Sequence, residues 1–132
     1  MSNSRVTYVR FVIGKRDEMS HVSQGIFQAA FSLRDSGELS PHEFEQIEDD
    51  LSWLKMHLKS PPILMDPKTE RAICWFHPRA KKPIDHVRSI ARVLNEYGHN
   101  VRMITSDVPG TVIYEDGWQI VAYPFRDQRG NL

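Results

Sequence analysis

The sequence predicts a single α+β domain over residues 1–132, with an α/β arrangement as the alternative. Short apolar stretches bounded by Gly and Pro alternate with longer stretches of helical period. Apolar residues make up 40% of the chain and charged residues 26%, which is typical of a globular protein. No run of 18 or more apolar residues is present. We expect the order β-α-α-β-α-β-β-β, with a mixed five-stranded sheet, three packed helices and a C-terminal β-hairpin.

The first half of the chain predicts one strand followed by two helices. Residues 5–13 are apolar on both faces, as in an interior strand. Residues 21–36 have apolar side chains at helical spacing. The helix predicted over 40–59 begins with a capping box, formed by Ser40 and Glu43, and has a proline at its first position. The short link between these helices predicts an antiparallel hairpin.

The next three elements have the pattern of a β-α-β unit. Residues 71–76 are apolar on both faces, a helix is expected over 83–97, and residues 101–105 form the following strand. Such a unit is right-handed and has parallel strands. The direction of the first strand of the chain relative to this unit is left open by the sequence.

The last part of the chain predicts a β-hairpin. Residues 111–115 and 118–123 alternate in polarity, and Asp116-Gly117 between them is a strong signal for a tight turn. Residues 126–132 form a polar tail of the kind often disordered at the end of a chain.

Charge and cysteine content limit the classes of function. Lys and Arg together number 17, as do Asp and Glu, so the formal net charge is zero. This balance argues against non-specific nucleic-acid binding, which needs a basic excess. Cys74 is the single cysteine, which excludes internal disulfides. The polar opening of the chain contains no apolar leader, so we expect a cytoplasmic protein without a membrane partner.

A basic segment over 79–92 is the first candidate site. It begins in the loop that leads from the second strand into the third helix, where free backbone N–H groups and the helix dipole favour anions. The candidate anion-binding residues are Arg79, Lys81, Lys82 and Ser106. A phosphate-bearing small molecule would be the ligand. The alternative is a solvated basic loop without a ligand.

No enzyme motif is present, so catalysis is the weaker hypothesis. His77 and His86 could each act as a general base near Asp107 or Asp85, and His77 with Asp107 is the candidate pair for a small hydrolase. The histidines lack metal-site spacing, so no metal and no cofactor are expected.

Acidic and aromatic residues suggest a surface for a partner. The candidates are Glu45, Glu48, Asp49 and Trp53 on the second helix and Trp118 at the hairpin. We therefore expect a non-catalytic interaction or regulatory module with an acidic surface over 40–59 and a basic surface over 79–92. Its partner would be an unknown protein or a further copy of the chain. The alternatives are binding of a nucleotide phosphate or other anion at the 77–84 loop and a His-dependent hydrolase.

Overall fold

The computed structural model describes residues 6–13, 25–59 and 72–125. Its element order is the predicted one, and the α+β class is confirmed. The elements are β1 (Tyr8–Ile13), α1 (Ile26–Arg34), α2 (Pro41–His57), β2 (Ile73–Phe76), α3 (Lys81–Glu96), β3 (Val101–Ser106), β4 (Thr111–Glu115) and β5 (Gln119–Tyr123). Four parts of the predictions lie outside the described residues: residue 5 of the first strand, residues 21–24 of the first helix, residue 71 of the second strand and the tail over 126–132.

The five strands form an open sheet in the order β3-β1-β2-β5-β4. The sheet is antiparallel rather than mixed. In the predicted β-α-β unit, β2 and β3 run in the same direction, as expected, but they are not hydrogen-bonded neighbours, because β1 lies between them and is antiparallel to both. The direction of β1, left open by the sequence, is antiparallel to β2, with Val9 opposite Phe76.

Two predicted boundaries differ from the structure. The third helix begins at Lys81, so Pro83 lies in its first turn, where a missing N–H costs no helical hydrogen bond. In the hairpin, the Asp116 N–H donates to the Gln119 carbonyl at 2.9 Å. The central turn residues are therefore Gly117 and Trp118 rather than Asp116 and Gly117, because the Asp116 carboxylate accepts the N–H groups that follow it.

The chain divides into two compact units, and each contains buried apolar side chains. The helix unit comprises Phe11–Leu58 and Lys82–Ile104, and the strand unit comprises Met1–Arg10, Lys59–Lys81 and Thr105–Leu132. In the helix unit, the fully buried apolar side chains include Ile47, Val87, Ile90 and Leu94. In the strand unit, Ile120, Val121 and Ala122 are fully buried. The candidate sites are described below within their own units.

The start of α2 is fixed by the predicted capping box. The Glu43 N–H donates to Ser40 Oγ at 3.2 Å, and the Ser40 N–H donates to Glu43 Oε1 at 3.0 Å. The Tyr97 hydroxyl also donates to Glu43, which joins the end of α3 to the start of α2. The hydrogen bond from Tyr97, followed by that from the Ser40 backbone, lowers the pKa of Glu43.

Gly110 is required by the close approach of the chain before β4 to the end of β5. Its φ is +126°, and a Cβ placed there would lie 1.8 Å from the Tyr123 carbonyl oxygen. Only glycine fits this position without a shift of the backbone.

Candidate functional site

A line of polar contacts joins α2 to α3 in the helix unit. Gln46 Nε2 donates to Ser89 Oγ at 2.7 Å, and His86 Nδ1 lies 2.8 Å from Asp50 Oδ1. The later residue of α2, Asp50, contacts the earlier residue of α3, His86, so the two helices are antiparallel. We call the side chains along this line the α2–α3 seam: Gln46, Asp50, Trp53 and His57 of α2, with His86 and Ser89 of α3.

The centre of the α2–α3 seam is a buried carboxylate bonded to a partly exposed imidazole. Asp50 is only 7% exposed, and its Oδ2 is buried without a hydrogen-bond partner among the described residues. The His86 side chain remains 28% exposed. Because a carboxylate oxygen accepts, Nδ1 of His86 carries the proton that it donates to Asp50. In the neutral ring, Nε2 then has a free lone pair, and no hydrogen bond to Nε2 is formed within the described residues.

Trp53 holds this imidazole and a second one by stacking. Its indole lies 4.4 Å from the His86 ring and 4.3 Å from the His57 ring, with interplanar angles of 18° and 19°. Two imidazoles this close to one face of an indole would overlap, so the indole lies between them. His57 Nδ1 donates to the Trp53 carbonyl oxygen at 2.9 Å, which also leaves its Nε2 as the acceptor nitrogen of the neutral ring. Both rings can thus act as a base or a metal ligand through Nε2.

The outer face of α2 next to the seam is acidic. We define the acidic ridge as the exposed residues Glu45, Asp49, Ser52 and Met56, which follow each other at helical spacing. Met56 is 78% exposed. Glu48, which the sequence also suggested for an interface, lies instead 3.2 Å from Arg34 Nη1 through its Oε1.

The outer face of α3 is basic. We define the basic ridge as Arg88 and Arg92, both exposed and one turn apart. Asp85 is the acidic residue one turn before them and is also exposed. No ion pair joins the acidic ridge to the basic ridge within the described residues, although Arg88 Nη2 lies 3.5 Å from the Met103 sulfur of β3.

The predicted anion-binding residues form no common contact. Arg79, Lys81 and Lys82 are exposed, and no hydrogen bond or ion pair joins them to Ser106 in the described part of the chain. The Ser106 hydroxyl accepts the N–H of Val108 at 3.0 Å. At the start of α3, the Ala80 N–H donates to the His77 carbonyl and the Lys81 N–H to the Arg79 carbonyl. These donors are therefore already used within the chain.

His77, the predicted base, belongs to a contact of the strand unit. It is 6% exposed, its ring meets Tyr8 edge-on at 5.3 Å, and its Nε2 lies 3.4 Å from Glu115 Oε2. Its carboxylate neighbour is thus Glu115, while Asp107 is exposed. The predicted interface residue Trp118 is partly exposed, and its carbonyl accepts the His77 N–H at 2.8 Å.

The sequence predictions do not include Asp50 or the link from His57 to Trp53. Asp50 stands in a run of acidic residues, a pattern that is typical of a solvated helix face. The helical spacing of Asp50 nevertheless indicates burial, because it lies on the same side of α2 as the buried residues Ile47, Leu51 and Leu54. A carboxylate at such a position needs a partner, and a histidine on a facing helix supplies one.

Comparison of the chain with protein-family models, curated proteins and solved structures gives no match. Across the described residues, none of the helices has both the length and the apolar character needed to cross a membrane. Over the same residues, no group of three or more His, Cys, Asp or Glu side chains could hold a metal ion.

Proposed function

We propose that this protein is an interaction module that pairs with a second copy of itself through α2 and α3. The observation that supports the proposal is the pair of oppositely charged ridges, exposed on neighbouring helices of one unit and not neutralised within the described residues. The chain carries equal numbers of acidic and basic residues, so two copies can meet without net repulsion.

A symmetric dimer satisfies both ridges at once. In this dimer the helix pairs face each other and the two-fold axis runs along the α2–α3 seam. The rotation lays α2 of each copy over α3 of the other. Each acidic ridge then meets a basic ridge, which is the self-complementary contact that two-fold symmetry requires. Met56, at the end of the acidic ridge, adds an adaptable apolar contact.

The alternatives have less support in the geometry. The Ala80 and Lys81 N–H groups at the start of α3 are engaged within the chain, which weakens the anion site at the 77–84 loop. The His77–Asp107 hydrolase lacks the contact that it needs, because Glu115 is the acid beside His77. The proposal includes a cytoplasmic location, supported by the single cysteine, and no role in non-specific nucleic-acid binding.

The test is sedimentation velocity of charge-reversal variants, over a range of protein and salt concentrations. We expect the native chain to form a dimer that weakens as salt shortens the Debye length, from about 10 Å at 0.1 M to about 3 Å at 1 M. The double variant Glu45→Lys with Asp49→Lys should be monomeric. The double variant Arg88→Glu with Arg92→Glu should also be monomeric, because each variant sets like charges against each other.

Mixing the two variants provides the decisive control. In a mixed dimer, both contacts again join opposite charges, one native and one reversed. Equimolar mixing should therefore restore a dimer that neither variant forms alone. A native chain that stays monomeric at high concentration and low salt would refute the proposal. A dimer that survives either reversal would refute it equally.

A further inference from the structure

Arg10 and Trp75 lie side by side on one face of the sheet, within the strand unit. Because β1 and β2 are antiparallel, with Val9 opposite Phe76, the next residue of β1 lies opposite the preceding residue of β2. This register places Arg10 opposite Trp75. The guanidinium carbon of Arg10 accordingly lies 5.5 Å from the centre of the Trp75 ring. The two side chains therefore form one contact.

Arg10 is a cation without an acid beside it among the described residues. Its side chain is partly buried, and burial lowers the pKa of the guanidinium, while the nearby Cys74 opposes this shift. Within the described part of the chain, no hydrogen bond or ion pair engages the five N–H donors of the group. Cation–π attraction to Trp75 provides no acceptor for these donors. Arg10 therefore retains the capacity to bind an anion.

Trp75 adds a second donor at the same place. The residue is only 8% exposed, and its Nε1 is buried without a hydrogen-bond partner among the described residues. A buried indole N–H usually has an acceptor, because leaving it without one costs free energy. Arg10 and Trp75 thus combine one positive charge with N–H donors for which the described residues supply no acceptor.

We propose that Arg10 and Trp75 bind the carboxylate of a small organic acid. The planar fork of a guanidinium matches the two oxygens of a carboxylate and leaves lone pairs that can accept the N–H of Trp75. Two hydrogen bonds of about 3 Å through one carboxylate span more than the 5.5 Å between the two groups. Arg10 is partly exposed and lies over the ring, so the ligand meets Arg10 first. As the guanidinium turns towards the ligand, the indole N–H gains access to the same carboxylate.

The single charge of the site defines the class of ligand. Arg10 is the one Lys or Arg residue in β1, β2, β4 and β5. A carboxylate balances this charge, whereas a phosphate dianion would leave one negative charge unbalanced in a partly buried place. The ligand therefore differs from the phosphate-bearing molecule that the sequence suggested for the 77–84 loop. The site also does not depend on the proposed self-association, which uses the helix unit.

The first experiment observes the indole N–H signals of the ¹⁵N-labelled full chain by two-dimensional NMR. The chain has three tryptophans, so Trp53→Phe and Trp118→Phe assign two signals and leave that of Trp75. Sodium acetate is titrated against sodium chloride at equal ionic strength and neutral pH. It should move the Trp75 signal downfield to a plateau, with a dissociation constant of about 1 mM or weaker for so small a ligand. The absence of a plateau shift beyond that of sodium chloride would overturn the inference.

Variants of Arg10 separate binding from packing. Arg10→Gln should abolish the acetate shift, and Arg10→Lys should weaken it, because an ammonium group lacks the planar fork. Arg92→Gln is the matched control, since Arg92 is an exposed arginine of the helix unit, and it should respond like the native chain. Acetate should raise the melting temperature of the native chain and not that of Arg10→Gln. Without acetate, Arg10→Gln should melt no lower than the native chain, because it removes a partly buried charge.

The opposite results would overturn the inference. A lower melting temperature for Arg10→Gln, with no effect of acetate on either chain, would show that Arg10 only stacks on Trp75. An acetate shift that persists in Arg10→Gln would show that the guanidinium is not the binding group. Inorganic phosphate at equal ionic strength should move the Trp75 signal less than acetate does. An equal or larger shift with phosphate would overturn the assignment to a carboxylate.

Discussion

Among the described residues, each unit contains one pair of a histidine with a carboxylate, and the two pairs differ in which partner is buried. In the helix unit, the Asp50 carboxylate is buried and the His86 ring is partly exposed. In the strand unit, the His77 ring is buried and the Glu115 carboxylate is 54% exposed. The pair with the buried acid leaves the imidazole accessible to a ligand. The pair with the buried imidazole keeps the ring packed edge-on against Tyr8 and largely away from solvent.

The difference also concerns which nitrogen meets the acid. Asp50 accepts a hydrogen bond from Nδ1 of His86, so Nε2 of the neutral ring is the acceptor nitrogen. Glu115 faces Nε2 of His77, and Tyr8 covers the ring. The presence of an acid near a histidine is therefore a poor guide to a functional site. The burial of the acid and the exposure of the second nitrogen are the properties that distinguish the two pairs.

The largest effect is expected for His86→Ala, which leaves Asp50 buried without its partner. Removal of one member of a buried pair costs about 3–5 kcal/mol, and we expect about 3 kcal/mol in the free energy of unfolding because the ring is partly exposed. Urea denaturation followed by circular dichroism measures this change. His86→Asn is the control and should cost less, since its amide can still donate to Asp50. Equal losses for the two variants would show that the hydrogen bond to Asp50 contributes little.

A smaller effect is expected for Asp116→Ala in the strand unit. The Asp116 carboxylate accepts hydrogen bonds from the Tyr114 hydroxyl, the Trp118 N–H and the N–H and side-chain amide of Gln119. Loss of these bonds should cost about 1–3 kcal/mol, the usual range for donors left without a partner. Differential scanning calorimetry gives the corresponding fall in melting temperature.

The pH dependence gives this prediction a second test. Burial raises the pKa of Asp116, but the hydrogen bonds from Tyr114, Trp118 and Gln119 outweigh it and hold the pKa below its ordinary value. A carboxylate with a lowered pKa in the folded state adds stability above its unfolded pKa of about 3.9 and loses it as the pH falls through the folded value. The stability difference between the native chain and Asp116→Ala should therefore be largest near neutral pH and shrink below about pH 4. A stability difference between the native chain and Asp116→Ala that grows as the pH falls would contradict this prediction.

The features that the sequence predicts best are those with local causes. The capping box needs only Ser40 and, three residues later, Glu43. Both of its hydrogen bonds are present in the structure. The Asp116-Gly117 dipeptide predicts the hairpin, but the turn lies one residue later than predicted. The reason is that the Asp116 carboxylate accepts the N–H groups of Trp118 and Gln119. A local sequence pattern thus predicts that a hairpin forms here. It does not predict which two residues occupy the centre of the turn.

The sheet and the α2–α3 seam depend on contacts between distant parts of the chain. The position of β1 between β2 and β3 follows from strand pairing that no local pattern encodes. Asp50 and His86 are 36 residues apart, and the sequence offered several acids for each histidine. Only the packing of α2 against α3 selects Asp50 for His86 and places Trp53 between His86 and His57.

The smallest effect is expected for Glu115→Gln, and it tests the comparison directly. The Glu115 carboxylate is mostly hydrated, and exposed ion pairs contribute about 0–1 kcal/mol to the free energy of unfolding. The substitution keeps the size of the side chain, so urea denaturation should detect less than about 1 kcal/mol of change. Asp116→Ala at the next position serves as the sensitive reference for the same hairpin. A loss from Glu115→Gln as large as that from His86→Ala would mean that the strand-unit acid is as deeply engaged as Asp50. The two pairs would then not differ in how strongly the acid contributes to the stability of the fold.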